Sequence, residues 1–156
     1  ATRLLILLSA ASFVRWFPAT GDAPDRPRIH ELEGDANPDS AADILAVLGD
    51  MTVSAEAETS SPPDETRMRA AAERVLGAAP ATLKELIAAV IQLLPRKLDN
   101  VHHLKFAAAV IQEAERVSEG LVPALLAGLM FYCNGPDSAD LPGWQATAAA
   151  IEKLKA

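Results

Sequence analysis

Three stretches unsuited to helix or regular strand divide this chain, and they organise what can fold between them. Residues 18–38 hold Pro18, Pro24, Pro27 and Pro38 together with Gly21 and Gly34. Each proline fixes its own φ and lacks the N–H that a helix interior needs, so the stretch reads as a Pro-rich, extended surface connection. Residues 52–63 are acidic, rich in Ser and Thr, and end on Pro62 and Pro63, which reads as a flexible loop. Residues 134–143 carry Gly135, Pro136, Pro142 and Gly143 and set off the last segment.

What lies between these breaks has helical period. Asp39 or Ser40 caps a short helix over 40–48, with Ile44, Leu45 and Leu48 on one face and Gly49 as its stop. A second helix is expected from Ser61 to Gly77, and a third over 82–94, opened by the Thr82/Glu85 capping box and ended by Pro95. The fourth runs over 99–117. On it Leu104, Ala108 and Ile111 form one ridge, and His103, Ala107, Val110, Ala114 and Val117 form the next, which predicts a broad buried stripe. Residues 121–132 are apolar on all sides and read as a central helix, with Pro123 in its first turn. The last helix, over 141–155, turns Trp144, Ala148, Ile151 and Leu154 inward. The short link between the third and fourth helices predicts that they pack as a pair.

At 156 residues the chain fits a single domain spanning 1–156, large enough to bury a core. Half of it is hydrophobic but only 4% is aromatic, so the apolar mass is Ala, Leu, Val and Ile, which suits closely packed helices. No stretch alternates Val, Ile or Thr with polar residues over a useful length. The expected fold is therefore all-α, a compact bundle or orthogonal array of about six helices with long Pro-rich and acidic connections. A net charge of −7 argues against nucleic-acid binding, because phosphate contacts need clustered Lys and Arg. The densest basic group, Arg96, Lys97 and Lys105, has Asp99 in its midst.

Residues 1–17 form an apolar N-terminal helix on this reading. The run from Leu4 to Val14 follows Arg3 and spans about 16 Å as a helix, too short to cross a bilayer. Arg15, Trp16 and Phe17 stand where a signal peptide would need small residues. A helix this apolar is hard to bury in one small domain. Leu4, Leu5, Leu8, Trp16 and Phe17 are therefore candidate interface residues.

Nucleotide-binding glycine loops, paired Cys motifs, a G-x-S-x-G elbow and an H-E-x-x-H helix are all missing. Cys133 has an apolar setting and no partner for a disulfide, and reads as core. Tyr132, Cys133 and Asn134 place polar groups at the end of the most apolar helix. Either a small ligand pocket opens there, or the helix merely closes at Gly135. His30 lies at the end of the Pro-rich stretch, while His102 and His103 sit in the first turn of the fourth helix, where the dipole keeps imidazole neutral. The bland reading of both is a solvated His102 and a packing His103.

The run Asp99-Asn100-Val101-His102-His103-Leu104-Lys105-Phe106-Ala107 resembles the Asp-x-His-x-x-Lys-[Phe/Leu] segment of the questin oxidase-like family. Its members are helical proteins that include iron-dependent oxygenases acting on polycyclic quinones. Ile29-His30 is similar to that family's upstream Ile-His segment. The resemblance implies His30 and His102 as iron ligands and Lys105 as a lysine carboxylated to supply oxygen.

Three functions follow as expectations. The first is a non-catalytic helical module or accessory subunit that docks on a protein partner or a second copy of itself, without a cofactor. The second is an iron-dependent oxidoreductase, or a degenerate remnant of one, using His30, His102 and Lys105. The third is a carrier of a small apolar ligand. A soluble chain is expected in each case.

Overall fold

The computed structural model describes residues 29–35, 40–53, 64–98 and 101–155. Within them run six helices: α1 (Ala41–Ala46), α2 (Glu65–Gly77), α3 (Pro80–Lys97), α4 (Val101–Ala114), α5 (Val122–Met130) and α6 (Trp144–Lys155). Short 3-10 turns at Ile29–Glu31 and Glu119–Leu121 precede α1 and α5. No strand occurs among the described residues, and the fold is all-α as the periodicity required. None of these helices is long and apolar enough to cross a membrane. The apolar run at 4–14, most of the Pro-rich stretch and most of the 52–63 loop lie outside the described residues.

Side-chain caps set two of the starts. Ser40 Oγ accepts from the Asp43 N–H, and the Asp64 carboxylate accepts from the Arg67 N–H, so α2 begins at Glu65 rather than at Ser61. The Thr82/Glu85 box is not used. α3 starts two residues earlier on Pro80, whose ring favours the first turn, and Thr82 is buried instead. Nor does Pro95 stop α3, which continues to Lys97. A proline in the final turn forfeits one backbone hydrogen bond, and the packing of Leu94 and Lys97 carries the helix past it.

α2 and α5 form the most extensive helix pair. α2 presents Met68, Ala71, Ala72 and Val75, an i, i+3, i+4, i+7 stripe, and α5 presents Leu126, Ala127, Leu129 and Met130, all buried. Alanines at the centre of the stripe let the backbones approach. The Gly34–Asp35 segment rides over the end of α2. There the Asp35 N–H donates to the Glu73 carbonyl, and a Cβ on Gly77 would fall 1.8 Å from the Asp35 oxygen. α1 packs on α3, whose Leu86 and Val90 are buried, each such side chain contributing about 1.5–3 kcal/mol.

Three expectations about packing are corrected. α3 and α4 adjoin in sequence but make no extensive contact, since α3 is committed to α1 and α4 to α5. The broad stripe on α4 narrows to Ala107 and Val110, and leaves Leu104 exposed. α6 makes no extensive contact with any described helix, and its Ile151 and Leu154 face solvent, Leu154 at 87% exposure. The start of α6 is anchored: Trp144 is half-buried, with the Arg96 guanidinium 5.9 Å above its ring.

Candidate functional site

Because α3 and α4 pack on different neighbours, a gap remains between the start of α3 and the α4–α5 connection. One wall is Ala78, Pro80, Leu83 and Ile87, the last three spaced so that α3 turns them to one side. The other is Ala114, Val117, Val122 and Pro123, from the end of α4 and the first turn of α5. Together they enclose a groove of about 620 Å³, within the roughly 300–1,000 Å³ of ligand-sized clefts. Three charges edge it, Lys84 from α3 and Glu115 and Glu119 from the opposite side. None of the three makes an ion pair with a described residue. Among the described residues no His, Cys, Ser or Tyr lines the groove. Its chemistry is that of an apolar slot with an acidic lip.

The second constructed locus is the junction of α3 with the turn after α5. Lys97 is buried at 6% exposure, and its ammonium meets Asp140 Oδ1 at 2.8 Å and donates to the Ser138 carbonyl. Arg96 reaches both oxygens of the same carboxylate. Hydrogen bonds from Lys97 and then Arg96 hold the Asp140 carboxyl below the usual carboxylate range. Asn134 bridges the two strands of chain, its amide nitrogen donating to the Lys97 carbonyl and its oxygen accepting from the Val53 N–H at 2.6 Å. Gly135 follows because a Cβ there would lie 2.0 Å from the Gly49 oxygen.

Of the candidate ligand-pocket residues, then, Asn134 is engaged by backbone on both sides. Cys133 is buried, and its thiol is pushed up to about 12 by desolvation. Cys133 and Asn134 line a space of about 10 Å³, room for one water. Tyr132 packs against Phe106, ring centroids 4.4 Å apart, and meets His103 edge-on at 5.3 Å.

The candidate metal residues are placed at the surface. His30 lies on the Ile29–Glu31 turn, its side chain 73% exposed and 3.9 Å from Glu31. His102 and Lys105 are exposed on the first turns of α4. Among the described residues no three His, Cys, Asp or Glu side chains come together as metal ligands. His30, His102 and Lys105 are thus each exposed to solvent. The candidate interface residues Leu4, Leu5, Leu8, Trp16 and Phe17 lie outside the described residues.

Sequence reasoning missed the groove. Its α3 wall was legible as the 80, 83, 87 spacing, but the facing wall depends on α3 and α4 failing to pair, which no local pattern encodes. Comparison with protein-family models, with curated proteins and with solved structures finds no match to this chain.

Proposed function

We propose that this chain is a non-catalytic helical docking module whose groove beside α3 receives an apolar segment of a polypeptide carrying basic residues. The observation that carries the reading is the groove itself, two apolar walls edged by Glu115 and Glu119 on one side and Lys84 on the other. An apolar helix laid in such a slot removes its side chains from water, and the acidic lip selects for Lys or Arg at its ends. The solvent-facing Leu104, Ile151 and Leu154 supply further apolar area around the same domain.

A photoreactive benzophenone side chain in place of Ile87 tests this. The expected result is a covalent crosslink from position 87 to a defined polypeptide segment, whether of this chain or of another. Recovery of position 87 uncrosslinked, or linked to many unrelated peptides, would end the proposal. The groove's volume also favours a second reading, a carrier of a small apolar ligand. Native mass spectrometry separates the two, since a carrier retains a small-molecule mass adduct.

A further inference from the structure

The apolar face of α6 and the groove are two uncovered surfaces of the same chain. α6 is held at its start, where the Leu141 N–H donates to the Arg96 carbonyl and the Arg96 guanidinium lies over the Trp144 ring. From there its apolar stripe is progressively uncovered: Trp144 and Ala148 are half-buried, Ile151 is 40% exposed and Leu154 87% exposed. The far half of the helix therefore stands off the rest of the described fold. Arg96 lies about 14 Å along α3 from Ile87, where the groove wall ends. α6 makes no extensive contact with α3, α4 or α5 of its own chain, so it does not fill its own groove.

The two surfaces match in length and in charge. α6 from Ala148 to Lys155 measures about 10 Å, as does the α3 wall from Pro80 to Ile87. Successive helical residues turn by about 100°, so Glu152 and Lys153 emerge on opposite sides of the Ile151–Leu154 face, each about 130° from its centre. The groove is edged in the complementary way, by Lys84 on the α3 side and by Glu115 and Glu119 on the other. A helix lying apolar face down in the slot sets Lys153 toward the glutamates and Glu152 toward Lys84 when it runs one way, and sets like charges together when it runs the other. Charge thus selects a single direction for α6 as an occupant. Contacts between unlike surfaces of identical chains close into a pair when each copy supplies both surfaces across a two-fold axis.

We infer that two copies of this chain pair reciprocally, α6 of each lying in the groove of the other, with Ile151 and Leu154 against the α3 wall and Lys153 beside Glu115 and Glu119. This rests on the docking reading above and names its occupant as a second copy.

Sedimentation velocity over a concentration series tests this on the full chain, in the wild type, Leu154→Glu, Ile87→Glu, Lys153→Glu and Lys153→Glu/Glu119→Lys. The wild type is expected to form a two-chain species that dissociates on dilution. Leu154→Glu and Ile87→Glu should each weaken it by about 10-fold or more, and Lys153→Glu should weaken it in a way that Glu119→Lys partly restores. Leu154 faces solvent in the single chain, so its substitution leaves the fold intact and that arm stands by itself if Ile87→Glu does not fold. A wild type that stays monomeric up to about 1 mM would overturn the inference, as would a dimer that Leu154→Glu leaves unchanged. The benzophenone at position 87 keeps this failure apart from that of the docking reading. In an equal mixture of unlabelled and nitrogen-15-labelled chains it should join light to heavy chains within residues 144–155. A crosslink to any other polypeptide segment refutes the reciprocal pair while the groove remains a docking site.

Discussion

Lys97 and Asp140 lie 2.8 Å apart across the junction of α3 with the turn that leads to α6, and the ammonium of the pair is buried. Removing one partner from such a pair strands the other charge. Asp140→Asn is therefore expected to lower the urea midpoint, and Lys97→Met/Asp140→Asn to recover part of the loss. The pair also sets an acid dependence. Because the folded Asp140 carboxyl titrates below its ordinary 3.8, its contribution is present above that value and is lost as pH falls through the lower folded value. As pH falls from about 4 through that lower folded value, the urea midpoints of wild type and Asp140→Asn should accordingly draw together.

Asn134 joins the same junction to the 51–53 segment through two buried hydrogen bonds. Asn134→Ala leaves the Val53 N–H and the Lys97 carbonyl without those partners and is expected to destabilise by about 2–4 kcal/mol in urea denaturation.

Gly135 and Gly143 flank the same turn but differ in surroundings. A Cβ at 135 meets the Gly49 carbonyl at 2.0 Å, whereas at 143 it meets nothing within 4 Å. Gly135→Ala should destabilise by about 2 kcal/mol or more, because backbone must move. Gly143→Ala should stay within about 0.5 kcal/mol. Thermal unfolding of the two variants side by side reads the difference.

Cys133 offers a chemical readout of core integrity. With its thiol pushed up to about 12, only about one molecule in ten thousand is thiolate at pH 8. Iodoacetamide should leave the native protein unlabelled over hours and modify it at once in denaturant, as intact mass will show.

Helix existence was legible from period and punctuation, as the α2 stripe of Met68, Ala71, Ala72 and Val75 illustrates. Helix ends were less so. Pro95 read as a stop, yet a single lost hydrogen bond in a last turn is offset by the burial of Leu94 and the pairing of Lys97 with Asp140. Inward faces were least legible where a helix makes no extensive contact with a described helix: α6 has an amphipathic pattern, but a pattern states only which side is apolar, not what covers it. The same limit hid the groove, a product of which helices pair across the chain. The Lys97–Asp140 contact, 43 positions apart, left no local trace either, since Lys97 looked like part of a solvated basic cluster.

That a polypeptide segment occupies the groove is tested most directly by amide hydrogen exchange on the full chain, wild type against Ile87→Glu. Occupancy predicts that amides of residues 81–87 and 114–122 exchange faster in the variant by about 10-fold or more, while the buried pair α2 and α5, sampled at Ala71 and Leu126, stays unchanged. Identical exchange along the groove in the two proteins, with the core intact in both, would contradict it.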